Sequence, residues 1–262
     1  MNGRGKSEGV IAAKGFNPVK RAEEVAKIVS REDRRKYYRF RSARFYGGIA
    51  TADCVGCCLR CIFCWSWPQV IKPDRFGKFY DPKDVAGRLA TILRKKRFRR
   101  VRVSGNEPTI AWDHLVKVIE LLRKDVFFIL ETNGILIGHD DGYAKDLARF
   151  DNLYVRVSLK GCTGEEFSYL TGAVPEGFAL QLQALENLSR AGVRAHPAAM
   201  ISFSPPENIR ALKKRLKEIA PEYGDPEIEE LALYGDVEKR LRKAGIKYKG
   251  AYDPHNIPPE QV

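Results

Sequence analysis

The chain has no apolar run approaching the roughly 20 residues that a membrane-spanning helix requires, so no membrane anchor is expected. Residues 1–14 lack an apolar segment ahead of a small-residue cleavage site, so secretion is not indicated. Methionine is scarce, with two residues, and histidine is present four times. Outside positions 54–64 there is a single cysteine, Cys162, which reads as a small buried side chain. Five thiols crowded together in a 262-residue charged chain do not resemble the even framework of a small secreted disulfide scaffold. Free thiols in such a chain fit a reducing interior, and a cytoplasmic location is the expectation. No internal repeat or low-complexity tract is present.

What the chain has in excess is positive charge, with 46 Lys and Arg against 33 Asp and Glu, a net +13. The basic residues gather in two places. Residues 31–44 interleave Arg34, Arg35, Lys36, Arg39, Arg41 and Arg44 with Tyr37, Tyr38 and Phe40, and residues 94–100 form a second cluster. Basic stripes with aromatics can grip phosphate backbones and stack bases. An ordinary surface rich in Lys, Arg and Glu, of the kind found in thermophiles, has the same composition, and an acidic protein partner would also suit it.

Hydrophobic residues make up 44% of the chain, ample for one large core. Asn17 and Pro18 open a helix carrying Val25, Ile28 and Val29. From residue 47 short apolar strands alternate with amphipathic helices: strands are expected over 48–53, 100–104, 126–131, 153–159, 193–201 and 227–233. Asp81 and Pro82 supply an N-cap and a first-turn proline for the helix after the first of them. Strands that are apolar on both faces and alternate with helices require a parallel sheet. Six β/α units are too few for a closed eight-stranded barrel. The expected fold is therefore α/β, a partial (β/α)6 TIM-type barrel over 47–245. A basic helical extension (1–46) precedes it, and a proline-rich tail (246–262), read as loop, follows.

The chemistry gathers at 54–64. Cys57, Cys61 and Cys64 have C-x3-C-x2-C spacing, and Cys54, Cys58 and Cys61 form an overlapping frame with the same spacing. Three thiolates this close on one loop can hold three irons of a [4Fe–4S] cluster and leave the fourth iron open. Electron-transfer clusters normally use four cysteines, so three suggest a cluster that does chemistry. A zinc knuckle is the alternative, although only Cys162 and four scattered histidines could complete it.

Phe63, directly before Cys64, makes the first frame similar to the signature of the radical S-adenosylmethionine (SAM) superfamily. There the open iron chelates the amino and carboxylate groups of SAM. The second frame has Arg60 in the aromatic's place, so the resemblance selects Cys57, Cys61 and Cys64 as ligands and leaves Cys54 and Cys58 as spare thiols. The run from Ser104 to Thr109, Ser-Gly-Asn-Glu-Pro-Thr, resembles the superfamily's GGEP loop, with Gly105, Asn106 and Glu107 at the matching positions near the amino group of SAM. Glu131 and Asn133 begin and nearly end a Glu-Thr-Asn-Gly segment that the glycyl-radical-enzyme activases carry near the methionine or ribose of SAM. Ser158 and Lys160, with Leu170-Thr171-Gly172 further on, resemble the activase order Asp-Leu-Lys to Leu-Thr-Gly. Ser158 stands where that branch has aspartate, and Lys160 could meet the SAM carboxylate or a substrate anion.

The resemblance implies a partial barrel, a [4Fe–4S] cluster and SAM. It also implies a one-electron reductant of flavodoxin or ferredoxin type, and reductive SAM cleavage to a 5′-deoxyadenosyl radical that takes a hydrogen from the substrate. With little chain left for a substrate domain, a macromolecular substrate is expected, a glycyl-radical protein as for the activases or, alternatively, RNA or a nucleotide. A non-enzymatic zinc or Fe–S RNA-binding adaptor is the remaining alternative. His196 is read as a core or interface histidine. Ser202 and Ser204 are weak pocket candidates, and Trp65 and Trp67 could shield the cluster or pack on adenine.

Overall fold

The computed structural model describes residues 15–258; the basic start of the chain, residues 1–14, lies outside the described residues. A helix over Pro18–Val29 opens it, with Asn17 capping the first turn by accepting from the amides of Val19 and Lys20 at 2.9 and 3.1 Å. Val25 and Val29 are buried on its inner face, whereas Ile28 is exposed.

Seven strands then form the body of one sheet, in spatial order identical to their chain order. They are β1 (Arg34–Ala43), β2 (Ile49–Cys54), β3 (Arg100–Ser104), β4 (Phe127–Thr132), β5 (Leu153–Leu159), β6 (Ala195–Met200) and β7 (Glu227–Glu229). From β2 to β7 every pairing is parallel, as the run of apolar strands and intervening helices requires. All six residues of β2 are buried, the pattern of a strand covered on both faces. Among the described residues β7 pairs in this sheet only with β6, so the sheet stays open as a partial barrel. Helices Pro82–Lys96, Trp112–Leu121, Glu176–Arg190 and Pro206–Ile219 cover its outer face. Asp81 caps the first by accepting from the amide of Asp84 at 2.8 Å, and that helix buries Val85, Leu89 and Leu93. No helix of the described residues is long and apolar enough to cross a membrane.

Three features depart from the sequence reading. The sequence drew a boundary after residue 46 and set the basic-aromatic segment apart as an extension. In the structure residues 34–43 are a strand of the same sheet, antiparallel to β2, with a register irregularity between Tyr37 and Arg39. The single strand expected over 227–233 divides at Glu230: Glu227–Glu229 continues the sheet, while Leu231–Ala232 turns away to pair in parallel with Ala251–Tyr252. The tail is therefore tied down, and Leu231, Val237, Leu241 and Ile246 build a second small core with Leu170. Three short helices, Trp67–Ile71, Ile135–His139 and Gly164–Thr171, were not anticipated.

Candidate active site

The ten residues offered as cluster ligands or SAM contacts (Cys57, Cys61, Cys64, Gly105, Asn106, Glu107, Glu131, Asn133, Ser158 and Lys160) line one open cavity of about 740 Å³ at the C-terminal ends of the parallel strands. This is where α/β folds of this kind place their sites. A second cavity, about 480 Å³, lies among Arg97, Phe98, Arg100 and Phe127 and holds none of them.

The cysteine loop leaves the end of β2. Cys57, Cys61 and Cys64 line the cavity, while Cys54 and Cys58 are fully buried behind it. The loop backbone is pinned from two sides. Arg60 and Ile62 donate their amides to the carbonyls of Thr171 and Leu170 at 3.2 and 2.9 Å, so the Leu-Thr-Gly segment serves as a buttress. From the other side Arg240 donates to the carbonyls of Ile62 and Cys64 at 3.0 and 2.6 Å. Asn133 donates Nδ2 towards Cys58 Sγ at 3.3 Å and Cys57 Sγ at 3.6 Å.

The hydrogen bond from the Cys58 thiol outweighs burial and lowers the pKa of Cys57, whereas Cys58 itself is raised well above the usual thiol range. Burial raises Cys61, and pushes Cys64 up to about 11. Coordination deprotonates a thiol outright, so a bound metal centre would offset the burial that raises Cys61 and Cys64. Among the described residues no three Cys, His, Asp or Glu side chains are grouped to hold a single metal ion. A cluster takes one thiolate at each of three irons, so its ligands surround a volume and need not meet at a point. Three thiols lining one cavity, with two further thiols buried outside its lining, fit that demand.

The loop after β3 is shaped by Gly105 and held by Glu107. Gly105 has φ +95°, and a Cβ there would lie 2.9 Å from Cβ of Asp53, so only glycine fits. Asn106 accepts the amide of Gly56 at 2.7 Å through Oδ1, joining this loop to the cysteine loop. The resemblance placed Glu107 near the amino group of SAM, and in the structure its carboxylate is engaged by donors of the chain itself. Oε1 accepts from the amide of Thr109 (3.2 Å) and from the hydroxyls of Thr109 and Thr132 (2.7 Å each), and Oε2 accepts from the amide of Asn133 (2.8 Å). Glu107 is 1% exposed and ties the β3 and β4 loops together.

Gln181, which the sequence reading did not single out, does the same for β4 and β5. Fully buried, it donates to the carbonyls of Asn133 and Ser158 at 2.6 and 3.0 Å and accepts the amide of Lys160 at 3.1 Å.

The concave face of the sheet is charged throughout. Glu131 accepts from Arg102 at 2.6 Å, from Tyr46 at 2.9 Å and from Ser104 at 3.0 Å. Burial pushes its carboxyl up, but Arg102 and Arg156 together hold it below the usual range. Arg156 is paired with Glu227 at 2.6 Å and Glu229 at 2.7 Å. Ser158 donates to Glu229, and Lys160 Nζ contacts both Ser158 and Glu229. In the aspartate's place, then, Ser158 binds a glutamate supplied by β7. His196 hydrogen-bonds Glu227 at 2.7 Å and packs on Tyr154, outside the cavity lining. Ser202 accepts the amide of Leu231, and Ser204 donates to Glu166; neither lines the cavity. Trp65 lines it, whereas Trp67 sits under Arg240.

Burial raises the Glu227 carboxyl, but the hydrogen bonds from His196 and Arg156 prevail and lower it from 4.5 to about 2. A carboxyl lowered in the folded state adds stability above its unfolded value and loses it as pH falls through the folded value. Stability is therefore expected to decline as pH drops from about 4.5 towards 2. Acid titration of Glu227→Gln, followed by circular dichroism, should show a shallower decline in that window. An unchanged acid limb would remove this carboxylate from the account.

A profile of the radical SAM superfamily matches residues 53–219, more than half of the chain. No curated protein matches it. Among solved structures, the chain is similar to native anSMEcpe with bound AdoMet, at 21% identity and TM-score 0.53, covering 67% of this chain and 49% of that one. It is also similar to Streptococcus suis SuiB bound to precursor peptide SuiA, at 18% identity and TM-score 0.53, covering 73% and 42%. A third likeness is to TYW1 with a lysine-pyruvate adduct bound, at 16% identity and TM-score 0.51, covering 75% and 71%. The chain thus spans less than half the length of the first two, and at these identities the likenesses speak for the fold. The matched profile, the open parallel sheet and the cysteine loop at the end of β2 together place this chain in the radical SAM superfamily, whose cofactors are SAM and a [4Fe–4S] cluster.

Proposed function

We propose that this radical SAM enzyme binds its cluster through Cys57, Cys61 and Cys64 and abstracts hydrogen from a polypeptide, with a glycyl-radical protein as the favoured substrate. The observation that carries the reading is that the three cysteines and the seven residues offered as SAM contacts open onto one cavity. The bound cofactors supply the reductive cleavage of SAM that generates the abstracting radical.

The chain's own residues bind, orient and exclude water. Gly105 and Asn106 bring backbone close to the methionine end of SAM. Glu107 and Gln181 fix the three loops that would hold it. Lys160, partnered by Ser158 and Glu229, offers a cation towards a carboxylate. A polypeptide substrate is favoured because neighbours of this fold include one bound to a precursor peptide. In this reading the electron donor is a carrier of flavodoxin or ferredoxin type.

The test is anaerobic reconstitution with iron and sulfide, followed by reduction in the presence of SAM. Methionine and 5′-deoxyadenosine should form together, and addition of a glycyl-radical-enzyme partner should produce a glycine-centred EPR doublet. No 5′-deoxyadenosine from a cluster-loaded chain overturns the enzymatic reading. Cleavage without the doublet, but with modification of added RNA, replaces the polypeptide with the nucleic-acid alternative.

A further inference from the structure

In the ion pairs on the inner strands of the concave face, carboxylates match or outnumber the arginines. Arg102 faces Glu131, and Arg156 faces both Glu227 and Glu229. At the edge formed by β1 the ratio reverses. Asp53 is fully buried, and Arg39 and Arg41 both reach its Oδ2 through Nε, at 2.6 and 2.8 Å. Arg39 pairs with Asp53 and Arg41 with Thr51 across the β1–β2 ladder, so alternation puts both guanidiniums on the cavity face. One carboxylate here restrains two cations. A single arginine would neutralise it, and the second leaves one positive charge in excess.

The outer edges of both guanidiniums are available. Arg39 and Arg41 are 43% and 25% exposed, and both line the cavity beside Trp65. Among the described residues neither Nη atom of Arg39 meets an acceptor, and the only acceptor for an Nη atom of Arg41 is Asp53 Oδ1, at 3.5 Å. The Arg39 guanidinium lies 5.5 Å from the Tyr38 ring centroid and 5.6 Å from that of the exposed Trp65, which restricts its plane. Two forks held from behind by a buried carboxylate have paid part of their ordering entropy before any ligand arrives. Planar forks of this kind match the oxygens of a carboxylate or a phosphate.

We propose that Arg39 and Arg41 form an oxyanion subsite that takes a phosphate or carboxylate group of the substrate and anchors it at the edge of the cavity. The proposal rests on the enzymatic reading above for identifying that molecule as the substrate.

The test uses the full chain, reconstituted anaerobically and titrated calorimetrically with inorganic pyrophosphate and separately with glutarate, first without SAM and then saturated with it. At least one is expected to bind. Arg39→Gln should weaken it, and the triple change Arg39→Gln, Arg41→Gln, Asp53→Asn should weaken it about tenfold or more, since charge-assisted contacts are lost. The triple variant removes the buried carboxylate with its partners, and the single variant reports if the triple one does not fold. Preference for pyrophosphate assigns a phosphorylated substrate, and preference for glutarate an acidic side chain or chain terminus. No binding of either probe, unchanged affinity in Arg39→Gln, or loss of binding on adding SAM overturns the subsite; the last would give the arginines to the carboxylate of SAM. 5′-Deoxyadenosine formation, measured on the same samples, separates the two readings. If SAM is cleaved but neither anion binds, only the subsite fails; if SAM is not cleaved, the enzymatic reading fails.

Discussion

Replacing Cys57, Cys61 or Cys64 by alanine is expected to abolish the [4Fe–4S] absorption and EPR signals and with them all SAM cleavage. Cys54→Ala and Cys58→Ala should still accept a cluster. The two frames have identical spacing, and the structure separates them by exposure. The first three thiols face the cavity, while Cys54 and Cys58 are fully buried behind the loop. Each spare thiol fills core space, so its removal should cost about 1 kcal/mol of stability without reaching the metal centre. Iron counting after anaerobic reconstitution reads all five variants. Loss of cluster in Cys58→Ala with retention in Cys57→Ala would exchange the frames.

The second large effect is expected at Glu107, and it is not confined to SAM. A loop residue that only touched the cofactor could be truncated with loss of SAM affinity and nothing else. The Glu107 carboxylate instead satisfies two amides and two hydroxyls in a place closed to water. Glu107→Ala strands those donors, at a cost on the order of 3 kcal/mol or more. In a protein of this size that corresponds to a melting temperature lower by roughly 10 °C. The loss should spread to the cluster as well, because Asn133, released from Glu107, is the residue that approaches the sulfurs of Cys57 and Cys58. Glu107→Gln keeps an acceptor for the threonine side and turns an N–H towards the Asn133 amide, so it should fall between wild type and alanine. Differential scanning calorimetry and iron content decide the matter. An alanine variant with wild-type melting and a full cluster would return Glu107 to the role of a simple cofactor contact.

The site was legible to the extent that its chemistry is local in sequence. The cysteine spacing, the Gly-Asn-Glu turn and the Glu-Thr-Asn-Gly segment each lie within a few residues of a strand end, and the parallel sheet brings those ends together. Residues whose meaning depends on a partner strand were not legible. Tyr154, Arg156 and Ser158 on β5, with Lys160 just past its end, recur at every second position, a period-two pattern that does mark one face. Their partners Glu227 and Glu229 lie some 70 positions on, and no local pattern joins the two sets. Arg39 and Arg41 were hidden for another reason. The irregularity between Tyr37 and Arg39 breaks the alternation that would have announced a strand, and a ten-residue strand passes for a run of surface charge. Likewise, Gln181 sits on a helix whose visible signal is its apolar face, and its three hydrogen bonds to loop backbone have no counterpart in the sequence. The fold was read with greater completeness, because six apolar strands in alternation with capped helices leave few arrangements open. Its loosest part, the segment after Glu229, is where short strands pair outside the main sheet.

Arg240 gives the cysteine motif a dependence on chain length. Its guanidinium grips the carbonyls of Ile62 and Cys64 from 178 and 176 positions away, on a helix, Val237–Lys243, that belongs to the small second core. A ribosome has released every cysteine of the motif long before it reaches this clamp. A fragment ending at residue 219, where the family match stops, would carry all three cavity thiols and lack the hand that closes on them. The receptacle for the metal centre is therefore completed only once the chain has been made and folded through the helix that carries Arg240.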